Sequence, residues 1–238
     1  MKKILTIIQA ILIGVWTMFC GLFGMLLLLF TWNQRFVMLV MSHYIWSPVI
    51  CAVSGVRIEK QGLENIDKKN SAIYVANHSS LFDIVAVCRA SPVPLFYVAK
   101  IELKKIPIMG HFMSAVGMIF IDRKNKERAM QSMRLAGEKI KNGKNIISFP
   151  EGTRSKDGNV QLFRRGSFII AKSGDIPIQP ISIKGAYEVL SAGTSNLNSG
   201  RIKVYFHPPI LASDYGSMSE EVLAEHCRKI VDSKIASM

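Results

Sequence analysis

Residues 4–32 contain no charged side chain, and this run constrains the fold more than any other feature of the sequence. It reads ILTIIQAILIGVWTMFCGLFGMLLLLFTW. A helix needs about 20 apolar residues to cross a bilayer, so this run is long enough to span one with some tilt. A secretory signal peptide fits less well, because its apolar core is usually ~7–15 residues long and ends at a cleavage site. We therefore predict a membrane-associated helix.

A second apolar stretch, Phe36 to Val53, follows after a short polar break. It contains His43 and Pro48, which make it a weaker spanning segment than the first. This stretch could span the bilayer, lie in the interface, return as the second arm of a helical hairpin, or be buried in the main domain. We predict that residues 1–56 form an anchor of one or two hydrophobic helices and that residues 57–238 form the main domain.

The charge of the chain is unevenly distributed between these two parts. The net charge is +13, of which Lys2, Lys3 and Arg35 supply +3 within residues 1–56. A basic domain behind an apolar anchor suits a cytoplasmic membrane face that carries anionic lipid. Nucleic acid would also attract such a domain, but no basic-aromatic recognition motif is present, so we expect no nucleic-acid partner.

The cysteines are widely scattered and form no C-x-x-C pair, so neither a zinc site nor a disulfide framework is indicated and no metal is expected. They are Cys20, Cys51, Cys88 and Cys227.

After residue 56, short apolar runs alternate with amphipathic stretches. The clearest helices are predicted at residues 126–142 and 219–235, the first followed by Gly143 as a stop signal. Strands that alternate with helices predict an α/β sheet with helices packed on it. The predicted strands are Ala72–Ala76, Leu95–Val98, Met118–Ile121, Asn145–Phe149, Ile178–Ile183 and Ile202–Phe206.

Residues 77–83 read NHSSLFD and follow the first of these strands. His78 would lie in the turn at the carboxyl edge of the sheet, where α/β proteins usually bind ligands. Asp83 lies far enough along the chain to fold its carboxylate back to the imidazole, where it would stabilise the charge formed when a histidine takes a proton. Alternatively, Ser79 or Ser80 caps a helix that starts here. The stretch alone allows a catalytic dyad, a cap, or both.

Residues 149–155 read FPEGTRS and also end a predicted strand. Pro150 cannot continue an inner strand, and Gly152 permits a tight turn. These two residues place Glu151 and Arg154 at the same sheet edge as the histidine. An arginine there can hold a phosphate through two parallel hydrogen bonds. The alternative is a surface turn with an ion pair.

Three further features lie near strand ends. Residues 117–123 read GMIFIDR and end in Arg123, which could make a second phosphate contact. Residues 176–181 read IPIQPI, carry no reactive group and are expected to shape a wall. Lys100 adds positive charge after another strand, although a lysine at such a position is commonly a solvated surface residue.

The four stretches, in this order, resemble the sequence blocks of the glycerophospholipid acyltransferase family, most closely its 1-acyl-glycerol-3-phosphate acyltransferase branch. The blocks of that family read N-H-x-x-x-x-D, G-x-x-F-I-x-R, F-x-E-G-T-R-S and V-P-I-x-P. The only departure here is Ile176 for valine, and the match spans residues 72–183. The combination is far more specific than any one block.

The resemblance implies a reaction and a set of site residues. A fatty acyl group would pass from an acyl-CoA or acyl-ACP thioester to the sn-2 hydroxyl of 1-acyl-sn-glycerol-3-phosphate (lysophosphatidic acid), giving phosphatidic acid without a cofactor. His78 would be the general base, oriented by Asp83, and the alcohol would attack the thioester directly. Lys100 or backbone amides could stabilise the oxyanion. The residues implied in substrate binding are Arg123, Glu151, Gly152, Thr153 and Arg154.

The resemblance also implies a glycerol-3-phosphate acyltransferase-like fold, a mixed sheet flanked by helices, with residues 57–238 as the catalytic domain. The anchor would hold that domain on membrane lipid, on the cytoplasmic face of a bacterial inner membrane. Coenzyme A and an acyl carrier protein are both anionic, so the positive charge of the domain does not indicate which of them carries the acyl group.

Three alternatives remain open from the sequence. A relative could use another acceptor, such as glycerol-3-phosphate, another lysophospholipid or a lyso-aminolipid. A membrane-bound hydrolase could use the same dyad with water, releasing free fatty acid. A binding module without enzymatic activity would bind lipid and show no turnover.

Overall fold

The computed structural model describes residues 2–238, which form a seven-stranded sheet with helices on both faces. The strands are β1 Val56–Gln61, β2 Ile73–Ala76, β3 Leu95–Lys100, β4 Ile119–Ile121, β5 Asn145–Ser148, β6 Ile178–Lys184 and β7 Gly200–Phe206. The α-helices are α1 Lys2–Thr31, α2 Gln34–Leu39, α3 Ser47–Ser54, α4 Phe82–Ala90, α5 Met109–Val116, α6 Lys126–Lys141, α7 Gly166–Gly174, α8 Ala186–Val189, α9 Ala212–Tyr215 and α10 Glu220–Ser237. A π-helical segment, Val40–Trp46, joins α2 to α3, and short 3₁₀ turns occupy Leu63–Asn65 and Ile101–Lys105.

The sheet is mixed, with strand order β1-β7-β6-β2-β5-β3-β4. The five strands from β6 to β4 are parallel, β7 runs antiparallel to β6, and β1 is parallel to β7. Because the parallel strands share one direction, the chain leaves β2, β3, β4 and β5 at a single edge of the sheet. The predicted mixed α/β sheet flanked by helices is confirmed.

The central strands β2 and β5 are buried along their whole length, because helices cover both faces of the sheet. Helices α6, α7 and α10 pack together on one face. Helices α4 and α5 and the segment from α2 to α3 cover the other. All six predicted strands are present, and both predicted helices are confirmed, with Ser219 capping the last one.

Strand β1 was not predicted from the sequence. Among its residues VRIEKQ only Val56 is buried, and three are charged, because β1 is an edge strand beside β7. Charged side chains are common on edge strands, where they discourage pairing with another chain. A search for short apolar runs does not detect such a strand.

The N-terminal apolar segments form a helical hairpin that turns at Trp32 and Asn33. Both arms are long and apolar enough to cross a membrane by length and composition. Much of α1 is exposed, whereas the second arm contributes Val37, Met41 and Ile50 to the main core. The second arm is therefore both a hairpin arm and a packed helix, two of the alternatives left open by the sequence.

Candidate active site

The site begins at Asn77, immediately after β2. The Asn77 side chain accepts a hydrogen bond from the Ile183 backbone N–H at 2.8 Å and donates to the Ile183 carbonyl at 2.9 Å. These two bonds extend the pairing of β2 with β6 by one residue beyond the ladder. Asn77 thereby fixes the point at which the chain leaves the sheet, and it sets the position of His78.

Asp83 is the polar centre of the turn. Its side chain is fully buried, and its Oδ2 atom accepts hydrogen bonds from the backbone N–H groups of Ser79 and Ser80 at 2.7 and 2.8 Å. The same oxygen lies 2.8 Å from Nδ1 of His78. Since a carboxylate accepts, the Nδ1 atom carries the hydrogen. The predicted His78–Asp83 pairing is therefore present in the structure.

The same turn also starts a helix. The Ser80 hydroxyl accepts from the Phe82 backbone N–H at 3.1 Å and donates to the Leu190 carbonyl at 2.6 Å. Asp83 lies in the first turn of α4, where a negative charge is favoured by the helix dipole. The dyad and the helix start therefore coexist in this turn.

The imidazole of His78 is held on one side and open on the other. Its ring stacks on Phe149, with centroids 4.1 Å apart and the planes 17° from parallel. Within residues 2–238, Nε2 of His78 has no hydrogen-bond partner, and the side chain retains 15% of its exposure. A histidine protonated on Nδ1 and free at Nε2 can accept a proton from a substrate hydroxyl.

Glu151 lies beneath this histidine and points inward. Its Oε1 atom accepts from the His78 backbone N–H at 2.9 Å, and the residue is only 4% exposed. The Ser155 backbone N–H also donates to the His78 carbonyl at 2.8 Å, so the FPEGTRS loop contacts both sides of the His78 backbone. Burial, with a smaller contribution from the charge of Asp83, raises the pKa of Glu151 to about 7.

Three arginines gather beside this loop. Arg123, which follows β4, donates to the Gly152 carbonyl. A Cβ on Gly152 would lie 3.1 Å from Nε of Arg164, so that guanidinium lies against the same glycine. Burial and the nearby Arg164 charge lower the pKa of Arg123. Arg154 is half-buried in the same turn.

Arg164 was not identified from the sequence. It lies outside the four blocks, and its backbone N–H donates to the Pro150 carbonyl at 2.9 Å, which brings it back to the loop. Throughout the described chain, none of Arg123, Arg154 and Arg164 forms an ion pair with a carboxylate. Unpaired guanidinium groups at one edge suit an anionic group such as a phosphate.

The remaining predicted residues lie at the same edge with weaker contacts. Lys100 ends β3 and pairs with Glu102 at 3.3 Å, with half of its side chain exposed. Thr153 is exposed, and Gly152 adopts a left-handed backbone with φ of 77°, which explains why a glycine stands there. The IPIQPI stretch leads into β6, where Ile178 and Ile181 are fully buried in the core.

Comparisons with known proteins agree with this arrangement. A family model described as Acyltransferase matches residues 57–184. The chain is 29% identical over its full length to a protein of Escherichia coli named 1-acyl-sn-glycerol-3-phosphate acyltransferase, and it covers 93% of that protein. A chloroplastic protein of the same name from Brassica napus is 33% identical over 73% of the chain. The chain spans about half the length, 49%, of this chloroplastic relative.

A solved structure has the same architecture over nearly the whole chain. The crystal structure of PlsC from Thermotoga maritima, described as a 1-acyl-sn-glycerophosphate acyltransferase, superposes with a TM-score of 0.86 at 29% identity. The superposition covers 99% of this chain and 95% of that one, hence the hairpin as well as the sheet. With the family model matched across its central domain and the dyad in place at the sheet edge, this chain belongs to the acyltransferase family.

Proposed function

We propose that this chain transfers a fatty acyl group from an acyl thioester to the sn-2 hydroxyl of 1-acyl-sn-glycerol-3-phosphate, giving phosphatidic acid. One observation carries the proposal. The free Nε2 atom of a carboxylate-bound histidine faces outward at the sheet edge that also holds three arginines without carboxylate partners. The names of the full-length relatives support this acceptor.

In this reaction, His78 is the general base. Nε2 takes the proton of the acceptor hydroxyl while the hydroxyl oxygen attacks the thioester carbonyl carbon. Asp83 holds Nδ1–H through Oδ2 and stabilises the imidazolium that forms. The tetrahedral intermediate then collapses, the carbon–sulfur bond breaks, and the thiolate takes the proton from Nε2. General-base assistance of this kind is worth roughly 10²–10⁴-fold in rate.

Glu151 acts as a positioning residue in this proposal. Its contact is with the His78 backbone, and its buried carboxyl lies beneath the site rather than on its surface. Arg123, Arg154 and Arg164 bind the acceptor phosphate, with Gly152 and Thr153 shaping the turn that carries it. Lys100 is proposed to stabilise the oxyanion, together with backbone amides.

The exposed apolar surface of the hairpin supports the proposal that this protein binds a membrane. Helix α1 is 30 residues long, or about 45 Å, and carries a row of exposed apolar side chains from Ile4 to Phe30. We propose that residues 1–56 hold the catalytic domain, residues 57–238, at headgroup depth, where a lysophospholipid exposes its phosphate and hydroxyl. The proposed location is the cytoplasmic face of a bacterial inner membrane, with acyl-CoA or acyl carrier protein as donor.

The test is acyl transfer by the purified full-length protein in neutral detergent. Lysophosphatidic acid is offered with an acyl-CoA and, separately, with an acyl carrier protein thioester, and His78→Ala is compared with the wild type. Phosphatidic acid that forms with the wild type and disappears with His78→Ala supports the proposal and identifies the better donor.

Two other outcomes would contradict the proposal. Product from glycerol-3-phosphate or from another lysophospholipid, but not from lysophosphatidic acid, would change the acceptor. Free fatty acid released at the same rate with and without an acceptor would identify a thioesterase.

A further inference from the structure

A second basic site lies at the opposite edge of the sheet from His78. It surrounds a cavity of about 670 Å³ at the turn of the helical hairpin. Lys144 lines this cavity and precedes β5, whereas the catalytic turn follows the end of the parallel neighbour β2. The two sites are therefore separated by at least the length of β5, about 13 Å.

Three cations lie in or beside this cavity, since Arg35 and Lys144 line it and Lys139 lies beside Lys144. Arg35 begins the second arm of the hairpin, and its guanidinium lies 3.1 Å from where a Cβ on Gly143 would stand. A Cβ on Gly117 would lie 2.7 Å from Nζ of Lys144 and 3.1 Å from Nζ of Lys139. The two ammonium groups therefore flank one glycine, and Arg35 lines the same cavity as Lys144.

The contacts of these cations leave their charge uncompensated. Lys139 donates to the Gly117 carbonyl at 2.8 Å, and Lys144 donates to the Gln34 side chain and lies 4.6 Å above the Phe96 ring. In the part of the chain that the structure describes, no carboxylate pairs with any of the three cations. Burial and the neighbouring Lys139 charge lower the pKa of Lys144 to about 8.

One side of the cavity is apolar and continues onto the exposed surface of α1. Leu28, Leu29 and Trp32 line it, and Trp32 is 85% exposed at the turn. Tryptophan is enriched at membrane interfaces, where its ring lies at headgroup level. Apolar walls beside a group of cations complement a molecule that has an anionic headgroup and acyl chains. A soluble phosphate would leave these walls exposed to water.

We propose that this cavity binds an anionic phospholipid, with Arg35 and Lys144 contacting the headgroup phosphate and Lys139 adding positive charge beside Lys144. The acyl chains lie along Leu28, Leu29 and Trp32. This site goes beyond the proposed acyl transfer, because the lipid bound here is not consumed. It secures the closed end of the hairpin to an anionic leaflet, and the inference does not depend on the reaction at His78.

The test measures lipid binding with no acyl donor present. The full-length protein in maltoside micelles is titrated with dioleoyl-phosphatidylglycerol or dioleoyl-phosphatidylcholine, and retained lipid is counted by native mass spectrometry. In parallel, acetylation of Lys144 by an N-hydroxysuccinimide ester is followed by peptide mapping. Wild type is compared with Lys139→Gln/Lys144→Gln and with Lys69→Gln/Lys229→Gln, a control that removes two exposed surface charges.

We expect the wild type to retain phosphatidylglycerol about tenfold better than phosphatidylcholine, because both lipids carry the phosphate but only phosphatidylcholine would bring a cationic choline group beside the three cations. Phosphatidylglycerol should also slow acetylation of Lys144. The cavity variant should lose the preference, whereas the surface control should keep it. Arg35→Gln changes an exposed side chain and should weaken the preference without disturbing the fold.

Three results would overturn the inference. The first is equal retention of the two lipids by the wild type. The second is a loss of lipid preference in the surface control as large as that in the cavity variant. The third is protection of Lys144 by inorganic phosphate as strong as that by the lipid, which would identify a simple anion site. Acyl transfer by the cavity variant in neutral micelles should persist, so failure of this inference is distinguishable from failure of the proposed function.

Discussion

The two halves of the candidate active site are built in opposite ways. On the histidine side, Asp83 is fully buried and one of its oxygens receives three hydrogen bonds, while Glu151 and Ser155 hold the His78 backbone. On the arginine side, Arg154 is half-buried, Arg164 is exposed, and neither has a carboxylate partner within residues 2–238.

This difference fits the roles proposed for the two halves. A general base must hold its nitrogen within hydrogen-bonding distance of one hydroxyl, so small displacements are costly in rate. A phosphate carries its charge on several oxygens, so arginines can bind it in several geometries. Substitutions on the histidine side should therefore lower kcat, and substitutions on the arginine side should mainly raise KM for the acceptor.

The largest effect is expected for Asp83→Asn. The amide oxygen can still accept the hydrogen bonds in this turn, but the negative charge that stabilises the imidazolium is lost. We expect kcat to fall roughly 10²–10⁴-fold with little change in KM, measured as initial rates of phosphatidic acid formation. Asp122→Asn, which removes a carboxylate that pairs with Arg128 at the same sheet edge, should stay close to wild type.

An intermediate effect is expected for Arg154→Ala. Loss of one charge-assisted hydrogen bond to the phosphate, about 1.5–3 kcal/mol, corresponds to a rise in KM for lysophosphatidic acid of roughly 10–100-fold. The KM for the donor should change much less. A fall in kcat without a change in acceptor KM would contradict the assignment of this half to phosphate binding.

A smaller effect is expected for Arg164→Gln, and Arg165→Gln provides a matched control. The two residues are adjacent, but Arg165 pairs with Glu221 at 3.0 Å, away from the loop, whereas Arg164 lies against Gly152. We expect the acceptor KM to rise several-fold for Arg164→Gln only, since its guanidinium is exposed and partly screened. Equal values for the two variants would remove Arg164 from the site.

The smallest effect on activity is expected for Glu151→Gln, whose main consequence is on stability. Gln keeps the oxygen that accepts from the His78 backbone. In the wild type the folded state keeps the Glu151 proton up to a pKa of about 7, whereas the unfolded chain loses it in the ordinary range. The contribution of Glu151 to the free energy of unfolding of the wild type is therefore greatest at low pH. It declines as pH rises to about 7, by up to about 3 kcal/mol.

Thermal unfolding of wild type and Glu151→Gln across this pH range measures that decline. We expect the variant to lack the decline and to be the more stable protein above neutral pH. Identical pH dependence of the two proteins would show that Glu151 is ionised in the folded state.

The sequence predicted the elements of this molecule better than their contacts. The apolar central strands and the His78–Asp83 pairing follow from local patterns, because their residues lie close together in the chain. The roles of Asn77 and Arg164 do not follow from local patterns. Asn77 forms hydrogen bonds with Ile183, 106 positions away, and Arg164 comes near the loop only in the folded chain. Likewise, the inward position of Glu151 depends on burial, which the loop sequence does not reveal.

The most direct test of the central claim is a double-mutant cycle on the dyad. The kcat/KM for acyl transfer to lysophosphatidic acid is measured for wild type, His78→Ala, Asp83→Asn and the double variant. If Asp83 acts through His78, the double variant should be no slower than His78→Ala alone, because residues that act as a unit are strongly non-additive. Losses that multiply in the double variant would contradict the account, since they would mean that the two residues act independently.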